Sequence, residues 1–346
     1  MSLIFQVFTL LCVLVTILPI TKLQWWWIRI FDFPRLQIVY ISLLNLFISS
    51  IYSFQWHNFF PLLAVIFYQL MRIFPYTTFA RTQVKVATEF LEEDCISVVV
   101  CNVLMTNRNS QDCVSMLKKA DADIVLMIET DKWWENALQE IFVNYPYKKS
   151  APHANTYGMI LFSKLELVHV DLKYIFEYDM PSMHCIVKMR NGVHIKFYGI
   201  HPKPPAPNES LTTIKRDAEL VIVGRDAKHC NKPSIVAGDL NDVAWSHTTH
   251  LFQKISGLLD PRIGRGMFST FNAKSKIFRW PLDHVFHSPQ FQLIEVRRLE
   301  YIQSDHFPIY IKLVINRTEN DNEPVEEATK EDLAEAIEMI KLAKKE

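Results

Sequence analysis

Two stretches near the start of the chain, residues 1–21 and 36–71, contain no Asp, Glu, Lys or Arg, and their apolar positions run on without a polar face. A helix needs about 20 residues to cross a bilayer. The runs therefore predict three membrane helices near residues 3–20, 38–54 and 59–74, the third short unless Arg72 reaches out to the headgroups. Beyond residue 94 the pattern changes to short β-branched runs separated by polar loops. Strands are expected at 95–101, 124–128, 157–163, 183–189, 193–200, 234–237, 281–287, 291–299 and 308–315. Arg190-Asn191-Gly192 is a hairpin signal between two of them.

Helical spacing marks 110–120, 133–142, 210–225 and 329–344. In the third of these Leu211, Ile214, Ala218, Val221 and Ile222 share a face. In the last, Thr329 is a cap with Asp332 three residues on, and Leu333, Ile337, Ile340 and the stem of Lys341 share a face expected to dock on the chain's own domain. Strands outnumber helices and their order is mixed, which fits two packed sheets flanked by helices. The organisation read from this is a membrane region at 1–76, a connector at 77–94, a catalytic domain at 95–315, and a linker with an amphipathic helix at 316–346.

Charge sharpens this picture. The net charge of the 346 residues is zero, but residues 1–85 carry +5 and residues 316–346 carry −5, leaving 26 basic and 26 acidic residues in 86–315. A neutral domain does not favour nucleic acid, whose binders show a basic surplus. Trp25, Trp26 and Trp27, with Lys22 and Arg29 beside them, read as an interfacial belt. The first apolar run has no preceding basic residue and no small-residue cleavage site, so it is expected to stay as a helix rather than leave as a signal peptide. Lys22, Arg29, Arg35, Arg72, Arg81 and Lys85 would lie on one side, which the positive-inside rule makes cytoplasmic together with the domain. Five cysteines beyond the helices, without Cys-x-x-Cys spacing, suit a reducing compartment.

A set of acids, amides and imidazoles stands at the ends of the apolar runs: Asn102, Glu129, His201, Asp239 and Asn241, Asp283, and Asp305 with His306. Burying such groups unpaired costs on the order of 2–7 kcal/mol for each neutral polar group. They are expected to line a cleft. Phosphoester hydrolysis needs a metal ion, a base for water and donors to the phosphate. Glu129 and Asp305 are candidate ligands for Mg2+ or Mn2+, which prefer oxygen donors. Asn102 and Asn241 can orient water or a phosphate oxygen, Asp239 can accept a proton, and His201 and His306 can donate to the phosphate or its leaving oxygen. Asp283 can fix the tautomer of His306, or pair with Arg279. Arg216 reads as a solvent-facing helix residue, Trp245, Phe268 and Phe271 as core, and His153, His184, His247, His250 and His287 as structural.

Taken in order, Cys101-Asn102-Val103, Ile128-Glu129, the run from Tyr157-Gly158 to Ser163-Lys164, Gly199-Ile200-His201, Gly238-Asp239-Leu240-Asn241, Leu282-Asp283-His284 and Ser304-Asp305-His306 resemble the motifs of the endonuclease/exonuclease/phosphatase superfamily, also called deoxyribonuclease I-like. The resemblance implies an α/β fold, a four-layer α-β-β-α sandwich, here preceded by transmembrane helices. It implies Glu129 as metal ligand with Asp305 beside the metal, Asp239 and Asn241 at the scissile phosphate, Asn102 and His201 as phosphate contacts, and a His306–Asp283 pair, with either Asp239 or His306 as base. Many nucleases of the superfamily carry a second acid where Leu104 stands and glutamine where Ile128 stands, which weighs against a nuclease-type second metal site. The helices ahead of the domain resemble a bacterial subgroup that includes the teicoplanin-resistance membrane proteins, implying the inner membrane. The expected activity is divalent-metal-dependent hydrolysis of a phosphodiester or phosphate monoester, in a lipid-linked phosphate or in nucleic acid. The alternative is a non-catalytic, membrane-anchored scaffold for a phosphorylated ligand or protein partner.

Overall fold

The computed structural model describes residues 2–52, 54–316 and 322–346; Ser53, within the second expected membrane helix, and residues 317–321 of the expected linker lie outside the described residues. The apolar runs fold as α1 (Ser2–Ile17), α3 (Arg35–Tyr52) and α4 (Trp56–Ile73), with the short α2 (Trp26–Arg29) between the first two. With their flanking turns, Leu3–Thr21, Arg35–Tyr52 and Trp56–Tyr76 are long and apolar enough to cross a membrane. The third begins earlier than its pattern suggested, so Arg72 has no need to reach for headgroups; it donates to the Trp245 carbonyl at 2.7 Å. One polar chain ties the three together: Asp32 accepts from Arg35 at 2.5 Å, Arg35 donates to Gln69, and Gln69 donates to Thr16. Each of these side chains thus has at least one polar partner in the helix core.

The rest of the chain runs β1 (Cys95–Asn102), α5 (Ser110–Ala120), β2 (Ile124–Ile128), α6 (Lys132–Ala137), α7 (Gln139–Phe142), β3 (Tyr147–Ala151), β4 (Met159–Ser163), β5 (Glu166–Lys173), β6 (Ser182–Lys188) and β7 (His194–Ile200). It continues α8 (Ile214–His229), β8 (Ser234–Asp239), α9 (His247–Ser256), β9 (Asp283–His287), β10 (Phe291–Arg298), β11 (Ile309–Ile315) and α10 (Lys330–Ala343). One sheet has the order β10-β11-β1-β2-β4-β3 and the other β5-β6-β7-β8-β9. Strand alternation builds three cores from them. In β1, Val98 and Val100 point between the sheets, while Val99 and Cys101 point outward against Cys113, Met116 and Leu117 of α5. In the second sheet Ile235 and Ala237 face inward, and Val236 packs outward with Leu220 and Val223 of α8 and Phe252 of α9. The result is the expected α-β-β-α sandwich.

Several local expectations are corrected. The helix foreseen at 133–142 breaks into α6 and α7 at Leu138, whose ψ of 5° leaves the helical range. The helix foreseen at 210–225 starts only at Ile214, because the chain before it pairs with the membrane region: Trp26 N donates to Leu211 O and Thr213 N to Gln24 O, around a bridge between Trp25 and Thr212. Leu211 is exposed as a result. α10 forms with the full reciprocal cap between Thr329 and Asp332. Its packed face is rotated from the expected one, however: Ala336 and Met339 join Val221, Leu251 and Ile255, and of the expected residues Ile340 packs against them, whereas Leu333 and Ile337 are each 45% exposed. Small alanines let α10 approach α8 closely where branched residues would hold it off.

Candidate active site

The alternation that fills the inter-sheet core also assembles the site. Continuing the inward row of β1 past Val98 and Val100 gives Asn102, and that of β8 past Ile235 and Ala237 gives Asp239. In β7 the row Ile195, Phe197 reaches His201 one position beyond the strand, and in β9 Asp283 precedes Val285. Four strands from both sheets therefore end their apolar rows in a polar residue at one rim of the sandwich. Gly238 permits the close approach of β7 and β8 there, since a Cβ on it would lie 1.8 Å from the Ile200 carbonyl oxygen.

These side chains are bonded to one another. Asn102 Nδ2 donates to Glu129 Oε1 at 2.8 Å and to Asp239 Oδ2 at 3.1 Å, and its carbonyl oxygen accepts from Ser304 Oγ. Glu129 follows β2 in the left-handed region, at φ 61°, where its other oxygen meets the Met105 amide. His306 Nδ1 lies 2.7 Å from Asp283 Oδ2, and its Nε2 lies 3.5 Å from Asp239 Oδ2. His201 Nε2 is 3.9 Å from that same Asp239 oxygen. Asn241, also left-handed at φ 51°, donates its backbone N–H to Asp239 Oδ1 and its side-chain amide to the Pro202 carbonyl. Asp305 holds its carbonyl against the Ala273 amide and accepts a long bond from Ser304. All eight candidate residues are brought to this rim.

Electrostatics divides their roles. Burial pushes the Glu129 carboxyl up to about 7, and Asp305 and Asp239 act in the same direction against the Asn102 hydrogen bond. Burial alone would lower His306; the carboxylates of Asp283 and Asp239 overcome it and hold the imidazole at about 10, so it is protonated at neutral pH. His201 is lowered to about 4 by burial and is neutral. Asp239 is raised by burial, an effect that His306 offsets in part.

A divalent cation suits this donor set. Glu129, Asp305 and Asp239 concentrate negative charge with few cations to meet it, and Asp283 Oδ1 is buried without a partner. Asp239, Asp283 and His306 also offer ligand atoms within 4.8 Å of one another. An imidazole is a poor metal ligand while it carries its proton between two acids, which leaves the carboxylate oxygens at this rim as the donors that could hold a cation.

Other residues support the site in ways the sequence did not assign to them. Arg216 is not solvent-facing: it is buried, pairs with Asp217 at 2.7 Å and Asp242 at 3.3 Å, and donates to the Asn241 carbonyl. Arg279 does not pair with Asp283 but donates to the Ala273 carbonyl; beneath Asp283, Arg262 is paired with Asp260 and donates to the Asp283 carbonyl. Ser304 bridges Asn102 and the His306 amide. Phe271 packs on the His306 ring at 4.9 Å as well as against the core that contains Trp245 and Leu282, and Trp245 is buried as expected. Acid at position 242 in the Asp-Leu-Asn-Asp run was the one available signal for a buried partner of Arg216.

A family model described as Endonuclease/Exonuclease/phosphatase family matches residues 99–306. No curated protein matches the chain. Among solved structures, a humanized TDP2 from D. rerio is 16% identical, with 64% of this chain aligned to 99% of that one at a TM-score of 0.50. An endonuclease/exonuclease/phosphatase family protein from Bacteroides thetaiotaomicron is 16% identical over 66% of this chain and 98% of its own, at 0.51. A mannosyl-6-phosphatase from Bacteroides thetaiotaomicron VPI-5482 is 17% identical over 64% and 100%, also at 0.51. At such identities the likeness is one of fold.

Proposed function

Because the chain belongs to the endonuclease/exonuclease/phosphatase family, we propose that it is a membrane-anchored, divalent-metal-dependent phosphohydrolase acting on a phosphodiester or phosphate monoester. The observation that carries this reading is the bonded series Glu129–Asn102–Asp239, with the Asp283–His306 pair beside Asp239. Glu129 and Asp305 would hold Mg2+ or Mn2+, which when bound neutralises phosphoryl oxygens and so favours attack.

The chain's own groups supply the proton chemistry. Asp239, raised by burial, takes a proton from the attacking water as its oxygen bonds to phosphorus. The ester P–O bond breaks, and the leaving oxygen departs with the electron pair and is protonated by solvent. His306, kept cationic by Asp283, donates to a phosphoryl oxygen as charge develops, and Asp283 holds the ring in place. Neutral His201 and the amide groups of Asn102 and Asn241 fix the phosphate.

The test is hydrolysis of bis(4-nitrophenyl) phosphate and 4-nitrophenyl phosphate by the full chain in detergent, with Mg2+, Mn2+ or EDTA. Turnover should require the cation, and Asp305→Ala and His306→Ala should each lower kcat by about 100-fold or more. Wild-type turnover in both variants sinks the proposal.

A further inference from the structure

The rim opens onto an apolar slot of about 570 Å³ that the hydrolytic machinery does not use. Its polar groups are Asn241 and His306, both at the site. One wall, with Phe31, Phe33 and Pro34, comes from the segment between α2 and α3; facing it are Pro204–Ala206 of the proline-rich loop after His201, and Trp280. The slot therefore runs from the phosphate-handling residues to the ends of the helices long enough to cross a membrane.

A second feature lies at its mouth. The 274–280 loop carries Lys274, Lys276 and Arg279, and between them Ile277 and Phe278 are 70% and 54% exposed. Gln37 Nε2 donates to the Ile277 carbonyl, which fastens this loop to the first turn of α3, and Phe33 packs edge-on to Trp280 at 5.6 Å. Trp25 and Trp27 are also half exposed nearby in sequence to that wall. Exposed apolar tips among cations at the end of a membrane-length helix suit the headgroup layer of an anionic bilayer, where rings and hydrocarbon are covered and cations are attracted. Apart from His306 the lining carries no charge to meet the successive phosphates of a polynucleotide.

We propose that the slot takes the hydrocarbon portion of a membrane lipid whose phosphate ester is the scissile group. The lipid moves sideways out of the bilayer past Phe31 and Phe278, its chain lies between Pro34 and Ala206, and its phosphate comes to rest against Asn241 and His306. This rests on the hydrolytic reading above and adds the substrate class to it.

The test uses the full chain in amphipol, hydrolysing bis(4-nitrophenyl) phosphate with Mg2+, and measures inhibition by n-alkylphosphonates from ethyl to octyl below their micelle concentrations. The inhibition constant should fall about fourfold per methylene until the slot is filled. Phe31→Asp, and separately Ala206→Asp in a different element, should flatten that dependence. A flat series in the wild type, with the diester still cleaved, overturns the lipid inference and leaves the hydrolase standing. A dependence that persists in both variants also overturns it, because partition into the amphipol would then explain the trend. A single-stranded oligonucleotide that inhibits more strongly than octylphosphonate assigns the site to nucleic acid instead. Absence of any hydrolysis with Mg2+ or Mn2+ removes the underlying function and this inference with it.

Discussion

Among single residues, His306 is the one whose surroundings most constrain the chemistry, standing between Asp283 and Asp239 with its proton held to about pH 10. The dependence of kcat/KM on pH should show this. Activity falls above about 10 as the imidazolium is lost, and Asp283→Asn, which removes the principal stabiliser of that cation, moves the alkaline limb to lower pH. Under the proposed function the acidic limb belongs to Glu129, whose carboxyl burial pushes up to about 7. A cation and a proton compete for it, so raising Mg2+ should carry this limb to lower pH. A limb that ignores both Mg2+ and Glu129→Gln would remove Glu129 from the cation seat. Gly238→Ala should cost about 3 kcal/mol or more, since its methyl would meet the Ile200 carbonyl; urea unfolding measures it. The eight rim residues were legible in the sequence because each stands at or beside one end of an apolar row. Arg216 and Phe271 were not: whether an arginine is buried depends on Asp242, and whether a ring joins the site depends on His306, each far away along the chain.

Elements were legible in proportion to how much of their surface is buried. The central strands β1, β2, β8 and β11 carry mostly apolar runs and stand where their pattern put them, to within two residues. The edge strands β3 and β5 were missed, because an edge faces water and is written in residues such as Lys148, Lys149, Glu166 and Asp171. α9 was missed too: Thr248, Thr249 and two histidines give it weak helical propensity, and its hold comes from the Ser246 cap and from Leu251 and Phe252 in the core. α10 is clasped by Glu335, which accepts from Lys22 at 2.7 Å and lies 2.5 Å from His247 Nε2. Burial alone would raise that carboxyl, but His247 and Lys22 hold it at about 2. A depressed carboxyl contributes fully above its ordinary value of about 4.5 and loses its contribution as pH falls through its folded one. Glu335→Gln should therefore speed amide hydrogen exchange across residues 330–343 at neutral pH. Unchanged exchange would mean that Glu335 adds nothing to the apolar contacts of Ala336 and Met339.

On the scale of the whole chain, the membrane-length helices and the sandwich were each apparent from pattern, but their junction was not. It is made by Tyr76 donating to the Ala244 carbonyl, Trp245 donating to the Asp32 carbonyl, and a core shared by Ile73, Tyr76, Val243, Trp245 and Leu282. Nothing local in the sequence signals contacts between segments some 170 or more positions apart. A chain beginning at residue 77 would leave this core half bare. With roughly 1.5–3 kcal/mol for each large apolar side chain uncovered, it should melt well below the full chain in the same detergent. Equal melting temperatures would mean that the two parts are merely adjacent.

The junction also leaves little slack. The loop that carries Asn241 is continuous with Val243, Ala244 and Trp245, the residues gripped by Arg72, Tyr76 and Asp32, so the catalytic rim cannot swing on a tether. Under the proposed function such a mount acts as a ruler: the reacting groups would sit at one height above the ends of the helices, and a phosphate held much nearer or farther from that plane would be out of range however well its chemistry fits. Lengthening α4 by one turn would lift that plane by about 5.4 Å.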